Sequence, residues 1–445
     1  MNKILKTLKE IASYPSAVVG GVMVLILVAI SIYTVIAIPY NEAISLWKSS
    51  EQQWFRNPKY AQPAWTNFFR TKKLPTTIDE NITAHPENKT VTVRSDGTKT
   101  ITENFPFDFN FDGFPSDLAI YFTYNYVQKP PFAVATFVTP DGRKIRLKSS
   151  MITNSFRIDQ DTALIQKFGN TPPHIALFSV PKSDPAQILK GHYEVQVEII
   201  TFEKDTDVDA EFIAYGQVSG IAGTDHKRRD LMIALLWGTP IALMFGLLAA
   251  VGTTVAEMII AAVGSWFGGW LDALINRIVE VIMVIPQLAI LIMIGTFYSR
   301  SIFVILGSVI VLGIFGAGIK TFRAVFMQTK ESAYIDAARA YGASNTRIIF
   351  SYMIPRIIPM LIPQFIVLIP SFVFLEASLA VLGLGDPTLP TWGKIIDDAR
   401  SNGALFQGFY YWVLEPSALL LFTGLAFSML GFALDRIFNP RLRGQ

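Results

Sequence analysis

The sequence contains no cysteine and only four histidines in 445 residues. The absence of cysteine excludes disulfides, thiolate nucleophiles and cysteine metal sites, so any outward-facing domain must be held together by packing. The histidines are widely separated in sequence, and none has a second ligand at metal-site spacing, which favours isolated surface or core residues. They are His85, His174, His192 and His226.

Charge is also scarce. Only 16% of the residues are charged and 51% are hydrophobic, with a positive mean hydropathy. A soluble globular chain rarely has this balance, so the composition predicts an integral membrane protein. The net charge of +3 is spread without a basic stripe, which argues against nucleic-acid binding.

The sequence lacks the phosphate-binding pattern Gly-x-x-x-x-Gly-Lys-Ser/Thr. Gly393-Lys394 is followed by Ile395, and Ile319 separates Gly318 from Lys320. No nucleophile elbow, serine triad or pair of catalytic carboxylates is evident. The sequence therefore predicts a chain with no catalytic residues, no ATPase site and no cofactor of its own.

Six uncharged runs, each at least 19 residues long, predict six transmembrane helices. About 20 residues at roughly 1.5 Å each cross a hydrocarbon core of about 30 Å. The first run, after an amino-terminal segment at 1–16, is too long for a secretory signal core and predicts an anchor helix at 17–39. The runs are 17–38, 231–256, 281–299, 301–319, 357–375 and 416–434.

Basic residues concentrate in the segments that six spans place on the side of the amino terminus. Because such residues favour the cytoplasm, both termini are predicted to be cytoplasmic and residues 40–220 extracytoplasmic. Lys227, Arg228 and Arg229 oppose the rule, but long translocated domains are largely exempt from it. The basic residues on the predicted cytoplasmic side are Lys3, Lys6, Lys9, Arg277, Lys320, Arg323, Lys330, Arg339, Arg347, Arg356, Arg436, Arg441 and Arg443.

Residues 40–220 predict a separate, β-rich domain inserted after the first span. Apolar and polar residues alternate in 193–199 and again in 118–126, as in half-buried strands. Asp96-Gly97 and Pro140-Asp141-Gly142 are turn sequences between such strands. The pattern predicts an antiparallel β-sandwich of about eight strands, with 40–75 helical or irregular.

One segment of this insertion has the acidic spacing of a calcium loop. Asp108, Asn110 and Asp112 could supply oxygen ligands, but Ala119 stands where a bidentate glutamate is required. Phenylalanines alternate with these polar residues, as they do in a half-buried strand. The sequence favours a strand and turn, with the three polar residues as weak metal candidates.

A polar segment at 328–355 separates two long apolar runs and predicts a protruding helix. Tyr334, Ala337, Ala338 and Tyr341 follow helical spacing, so they share one face, and the two alanines allow close approach of a partner. Gly342 is suited to end the helix.

A second short helix is predicted directly after this glycine. Ser344 or Asn345 can cap it, and it runs into Pro355. The two helices predict a helix-elbow-helix knob at the membrane surface that binds another protein.

Acidic residues and prolines within the apolar runs are candidates for lining a transport pathway. A buried carboxylate is costly unless it is paired or hydrated, although Glu376 is expected near the outer interface. Pro355, Pro359, Pro363 and Pro370 are expected to break or bend the fifth span, which is either a pathway lining or a bent packing helix. The pathway candidates are Glu257, Pro286, Pro363, Pro370 and Glu376.

The segment from Asp336 to Pro355 resembles the EAA motif of ABC importer permeases. That motif has Glu-Ala-Ala, three residues, glycine, nine residues and then Ile-x-Leu-Pro. The residues that match in register are Ala337, Ala338, Gly342 and Pro355, and Asp336 replaces the glutamate. Tyr352 and Ile354 stand at the isoleucine and leucine positions.

Three further blocks are similar to the second, C-type permease subunit of dipeptide, oligopeptide and nickel importers, which has the MetI-like fold. The resemblance covers 223–443 and the first span; the large insertion has no counterpart, and Arg228 stands where the family usually has glycine. The blocks are Gly223-Thr-Asp225 with Arg229-Asp230, the stretch 267–272, and the stretch 376–385 with 390–393.

The resemblance implies a five-helix permease core at 221–445 after the first span, in the inner membrane of a prokaryote. It implies a heterodimer with a homologous permease, two ATPase subunits that bind ATP and Mg²⁺, and an extracytoplasmic solute-binding protein. The EAA loop would couple the ATPases to the pathway through Tyr334, Asp336, Ala337, Ala338, Tyr341, Gly342 and Pro355. The solute would be a peptide, nickel or an oligosaccharide.

Two other functions are compatible with the residues. The first is a membrane-anchored surface receptor or adhesion protein whose β-domain binds a partner. The second is a proton-coupled transporter that uses Glu257. Within the importer, the insertion is expected to be a docking platform for the binding protein, with a spacer or protective cap as the alternative.

Overall fold

The computed structural model describes residues 13–49, 51–95, 98–203 and 205–438. Most of the predicted amino-terminal segment, the predicted turn at Asp96-Gly97 and the basic residues beyond 438 lie outside this described part. The chain divides into two compact units. One comprises 1–48 and 233–445, and the other comprises 49–232.

The chain begins with an apolar helix, α1 (Pro15–Ala37), followed by a short amphipathic helix, α2 (Tyr40–Lys48). Only a narrow face of α1 is buried. Gly20 lies on that face, where an added Cβ would come within 2.7 Å of the backbone nitrogen of Leu430. Glycine at this position therefore lets two helix backbones approach closely, and the exposed apolar remainder of α1 suits a lipid environment.

The unit at 49–232 is β-rich, as the sequence predicts. It contains two short helices, α3 (Thr162–Lys167) and α4 (Pro173–Ala176), and nine strands within its described residues. The sequence expectation placed this domain at 40–220, whereas residues 40–48 form α2 and 221–232 belong to the β-rich unit. The strands are β1 (Ile78–Asn81), β2 (Lys89–Val93), β3 (Lys99–Phe109), β4 (Asp117–Asn125), β5 (Phe132–Val138), β6 (Lys144–Met151), β7 (Ser155–Arg157), β8 (Gly191–Ile200) and β9 (Asp207–Tyr215).

These strands form two antiparallel sheets, in the orders β1-β9-β4-β7 and β2-β3-β8-β5-β6. The alternating segments 193–199 and 118–126 form most of β8 and β4, and the Pro140-Asp141-Gly142 turn joins β5 to β6. Inward side chains of both sheets share one hydrophobic core. Aromatic rings fill its centre, with Tyr193 stacked on Phe107 at 5.6 Å and on Phe178 at 4.8 Å.

A single carboxylate, that of Glu103, interrupts this core. The alternation of β3 turns Glu103 inward with Ile101 and Phe105, and its side chain is fully buried. The Ala210 amide donates to Oε2 at 2.8 Å, and the Lys89 Nζ lies 3.6 Å from Oε1. Burial nevertheless dominates and raises the pKa of Glu103 to about 7.

The membrane unit continues with ten helices in the described residues after position 230. A π-helical stretch, Ile348–Met353, precedes α12, and another, Ala380–Leu384, follows it. The helices are α5 (Leu231–Phe267), α6 (Gly269–Val284), α7 (Gln287–Phe297), α8 (Ile302–Gly313), α9 (Gly318–Lys330), α10 (Ala333–Ala340), α11 (Asn345–Arg347), α12 (Ile354–Leu379), α13 (Trp392–Ser401) and α14 (Tyr411–Phe438).

Within the described residues, four segments are long and apolar enough to cross a membrane as single helices: α1, α5, most of α12 with its following π turn, and most of α14. Two bent pairs qualify only together. Helices α6 and α7 meet at 73°, and α8 and α9 meet at 46°. The uncharged runs 281–299 and 301–319 were expected to be continuous spans, but the chain breaks within the first at Pro286 and within the second at 314–317.

The prolines of the fifth apolar run do not break it. Helix α12 passes through Pro359, Pro363 and Pro370 without interruption, and Pro355 lies in its first turn. Neighbouring helices can re-satisfy backbone groups freed by proline, and prolines spaced along one helix remove separate hydrogen bonds. The expected break in the fifth span is therefore wrong, and the alternative expectation, a bend, stays a prediction.

The buried Glu103 predicts a pH-dependent stability of the β-rich unit. Between the ordinary pKa of 4.5 and the raised pKa of about 7, the folded state retains a proton that the unfolded state has released. Stability is therefore greatest at low pH and falls as the pH rises through 7, by at most about 3 kcal/mol. Glu103→Gln keeps an acceptor for the Ala210 amide without the titration, so it should stabilise the unit at about pH 8 and change little at about pH 5.

Hydrogen exchange of the β3 and β9 amides, compared between the variant and the unmodified protein at each pH, measures this effect. Glu198→Gln, at an exposed position on β8, is the matched control. Equal gains for both variants, or a gain for Glu103→Gln that is the same at both pH values, would contradict the assignment.

Candidate coupling and pathway site

Helix α10 ends in the elbow that the sequence predicts. Gly342 has a φ of +77°, its amide donates to the Arg339 carbonyl at 2.9 Å, and the Ala343 amide donates to the Ala338 carbonyl at 3.0 Å. This pair of bonds is a Schellman cap, which requires a left-handed residue at the position of Gly342. Ser344 then caps the next helix by accepting from the Arg347 amide at 3.3 Å.

One face of α10 packs against its own chain. Ile335 and Ala338 are buried in a cluster that includes Phe326 of α9, Trp266 of α5 and Ile349. The sequence placed Ala338 on the partner-facing side, but spacing alone cannot say which side of a helix meets its own protein. Ala338 therefore packs α10 against the core of its own membrane unit.

The opposite side of α10 is open. Tyr334, Asp336 and Ala337 are exposed, and Tyr341 is 92% exposed at the end of the helix. Exposed aromatic side chains beside a small residue are typical of protein interfaces. Pro355, by contrast, lies in the first turn of α12 and not on this surface.

Two basic side chains hold α10 and α9 to the end of α5. The Arg339 guanidinium lies over the Trp266 ring, 4.6 Å from its centroid. The Lys330 Nζ donates to the Ser265 and Trp266 carbonyls at 3.1 and 2.9 Å. These carbonyls belong to the last turn of α5, where a cation is favoured by both hydrogen bonding and the helix dipole.

A second connection joins α9 to α6. Arg323 donates to both carboxylate oxygens of Asp272, at 2.7 and 2.5 Å. Asp272 belongs to the stretch 267–272 that resembles the family block, and positive φ values at Gly268 and Gly269 allow the turn before it. The sequence did not predict the contacts of Trp266, Lys330 and Arg323, because the partners of these residues are distant in sequence.

The pathway candidate Glu257 lies at the break between α8 and α9. Its carboxylate is buried and accepts a hydrogen bond from the Gly318 amide, the first of α9. An added Cβ on Gly316 or Gly318 would collide with the carboxylate oxygens. The amides at a helix start lack helical partners and favour negative charge, so Glu257 stabilises the bent span.

The pathway candidate Glu376 occupies a separate environment. It is buried rather than at a hydrated interface, and the Thr391 hydroxyl donates to it. It lines a small cavity with Arg300 and Asp386. The chain that follows α12 therefore covers Glu376, whereas its expected position near the outer membrane interface stays a prediction.

Helix α5 holds the segment that covers Glu376. The ring of the buried Trp392, the first residue of α13, fills a notch at Gly238, where an added Cβ would collide with it. Its Nε1 donates to the Leu235 carbonyl at 2.9 Å. Glu376 is thereby covered by a segment that α5 itself holds in place.

The proline candidates are not gathered into one site. Pro286 separates α6 from α7, and Pro370 is buried in α12. Pro363 lines an open cleft with residues of α9 and α14, among them Phe322 and Asp435. Pro363 therefore borders a space between helices.

Two of the three weak metal candidates, Asp108 and Asp112, form ion pairs within the β-rich unit. Asp108 pairs with His192 at 2.9 Å, and Asp112 pairs with Lys190 at 2.6 Å. The Lys190 ammonium and the Lys73 amide hold the pKa of Asp112 below its usual value. Residues up to Phe109 belong to strand β3, which confirms the strand interpretation there.

Arg228 keeps the backbone conformation that a glycine would favour. Its φ is +67°, and its buried guanidinium donates to the Asn57 carbonyl at 2.6 Å and to Asp117 at 3.1 Å. The guanidinium also lies 4.1 Å from the centre of the Tyr215 ring. A left-handed conformation is unfavourable for a residue with a Cβ, so these contacts offset a local cost of about 1 kcal/mol.

Comparison with known proteins finds a family that matches part of the chain. Residues 242–444 match the family described as binding-protein-dependent transport system inner membrane component. This segment, 203 of the 445 residues, is similar to the inner membrane components of that family.

The chain is similar to the permease proteins DppC and OppC of dipeptide and oligopeptide transport systems. It is 27% identical over 226 residues to the dipeptide transport system permease protein DppC of Alkalihalophilus pseudofirmus, covering 50% of this chain and 72% of the relative. It is 28% identical over 229 residues to the glutathione transport system permease protein GsiD of Pectobacterium atrosepticum, with coverage of 50% and 72%. Identity to the oligopeptide transport system permease protein OppC of Bacillus subtilis is 26% over 223 residues, with coverage of 50% and 72%.

The contact between Glu257 and the start of α9 predicts the effect of two glycine substitutions. Gly318→Ala displaces the carboxylate and should destabilise the protein by about 1–3 kcal/mol, the cost of a lost buried hydrogen bond to a charged group. Gly307→Ala in α8 meets no atom within 4 Å and should be neutral or stabilising by up to about 1 kcal/mol. Thermal unfolding of both variants in detergent measures the difference.

Glu257→Gln, which keeps an acceptor oxygen, should be tolerated, whereas Glu257→Leu should resemble Gly318→Ala. Equal stability of the two glycine variants would contradict the capping role. Loss of uptake in Glu257→Gln at unchanged stability would indicate instead that the carboxyl group acts in transport.

Proposed function

We propose that this chain is one of two homologous membrane subunits of a peptide importer, and that α10 docks on an ATPase subunit which binds ATP and Mg²⁺ for the complex. The permease class supports a partner permease, ATPase subunits and a solute-binding protein in general. The printed names of the relatives, which concern dipeptides, oligopeptides and glutathione, favour a peptide as solute. The absence of a phosphate-binding pattern from the sequence supports an ATPase site on a separate subunit.

The observation that carries this proposal is the asymmetry of α10. Its inner face, Ile335 and Ala338, is buried in the membrane unit, whereas Tyr334, Ala337 and Tyr341 are open. A helix held firmly from one side can transmit the displacement of a partner bound on the other. Arg339 and Lys330 would carry that displacement to the end of α5.

The proposed topology has six spans, counting each bent pair of helices as one. Both termini and α10 then lie in the cytoplasm, because four spans precede α10. The β-rich unit, which follows α1, lies outside. The basic residues of the predicted cytoplasmic segments support this orientation.

We assign the β-rich insertion a role on the face where solute arrives, as a docking platform for the solute-binding protein. Its sheets lie outside the segment that matches the family, 242–444. A domain added at this position can act on delivery of solute without altering the helices that form the pathway.

A steric substitution on α10 tests the proposal. Ala337→Trp places a bulky ring on the open face, where close contact with an ATPase subunit would be lost, and Ala337→Ser is the small control. Overpacking at a close interface costs about 1–3 kcal/mol, so affinity for the ATPase should fall about tenfold or more in the Trp variant only. Binding of purified ATPase to the reconstituted permease pair and ATP-dependent peptide uptake measure it.

Because Ala337 is exposed, the Trp variant should fold and insert normally, and its thermal stability in detergent verifies this. Unchanged ATPase binding by the stable Ala337→Trp variant would contradict docking at α10. Unchanged peptide uptake with ATP withheld from the unmodified complex would contradict the importer itself.

A further inference from the structure

An exposed aromatic group stands on the β-rich unit. A short 3₁₀ helix, 64–69, presents Trp65, Phe68 and Phe69, of which Phe68 is 86% and Phe69 is 81% exposed. The Phe69 ring contacts the other two, with its centroid 6.3 Å from that of Trp65 and 6.0 Å from that of Phe68. Three large neighbouring aromatic side chains in water are costly, so a covering surface is expected.

The aromatic group is fixed beside the segment that enters α5. The Ala64 amide donates to the Gly220 carbonyl at 2.9 Å, and Trp65 Nε1 donates to the Ile221 carbonyl at 3.0 Å. Two residues further on, the Gly223 carbonyl accepts from the amide of Leu231, the first residue of α5, at 3.1 Å. The aromatic group is therefore tied, within its own unit, to the point where the long apolar helix begins.

The neighbouring side chains are basic. Arg70, Lys72 and Lys73 follow the aromatic residues directly and are exposed, and Ile221 adds an exposed apolar side chain. Tryptophan and phenylalanine next to arginine and lysine are typical of segments that lie in a membrane interface, where rings enter the acyl boundary and cations meet anionic headgroups.

We propose that Trp65, Phe68, Phe69 and Ile221, with Arg70, Lys72 and Lys73, form an interfacial anchor that seats the β-rich unit on the lipid bilayer. The covering surface is lipid rather than a protein partner, because the group adjoins the start of a membrane helix and combines aromatic and basic side chains. This inference depends on α5 being a membrane helix and not on the identity of the solute or on ATPase docking.

The anchor restrains the inserted domain at a point additional to its two chain connections. The chain already connects it to the membrane at its two ends, near 49 and 232. A lipid contact beside one of these ends limits rotation of the domain about the connections. A surface that must receive another protein repeatedly benefits from a fixed orientation.

The absence of native cysteine makes a direct test simple. A spin label on Phe68→Cys in the full chain, reconstituted into phosphatidylethanolamine–phosphatidylglycerol vesicles, reports collisions with oxygen, which concentrates in lipid, and with a water-soluble nickel complex. Val127→Cys is the control, since Val127 is equally exposed at 86% but follows the far end of β4. Strand β4 begins at Asp117, which pairs with Tyr215 near the exit to α5, and it ends at Asn125.

We expect the label at 68 to collide severalfold more with oxygen than with nickel, and the label at 127 to show the reverse. Replacing the anionic lipid by phosphatidylcholine should shift the label at 68 towards water. Water exposure at both positions, or lipid exposure at both, would overturn the proposal. A label at 68 that is water-exposed in vesicles and protected only after a solute-binding protein is added would overturn it in favour of a protein partner.

Discussion

The packing of α10 against the end of α5 is the interaction on which the functional account depends. A short polar helix has little intrinsic stability, so its position is set by the burial of Ile335 and Ala338 and by the Arg339 contact with Trp266. Lys330 fixes α9 to the same turn of α5. The outer face is consequently presented on a rigid base, and a force applied there reaches a 37-residue helix directly.

The bent spans and the buried acids of the membrane unit follow the same rule. Backbone groups and carboxyl groups in an apolar region need hydrogen-bond partners nearby in the protein. Glu257 accepts from the first amide of α9 where the α8–α9 span is broken, and Glu376 receives the Thr391 hydroxyl under a loop held by Trp392. Both acids therefore have structural partners. The two breaks give the third and fourth apolar segments shapes that differ from straight spans.

Local signals in the sequence were sufficient for several features: the positions of the apolar segments, the strands β4 and β8, and the elbow at Gly342. Features that depend on distant partners were not accessible. Nothing in the sequence near Ala338 says that this residue faces its own core, and uncharged runs cannot reveal the break at 314–317. The arginine at 228 is a related case, because its left-handed backbone is compatible with the glycine pattern while its side chain bonds to Asp117, more than a hundred residues earlier.

The most direct test of the account is the coupling ratio, solute taken up per ATP hydrolysed, in a Trp266→Leu variant of the reconstituted importer. The account predicts that ATPase subunits still bind, because the open face of α10 is unaltered, and that the coupling ratio falls markedly. The matched control is Trp270→Leu, since Trp270 is exposed four residues further along the chain. A coupling ratio in Trp266→Leu equal to that of the unmodified protein and of the control would contradict force transmission from α10 to α5.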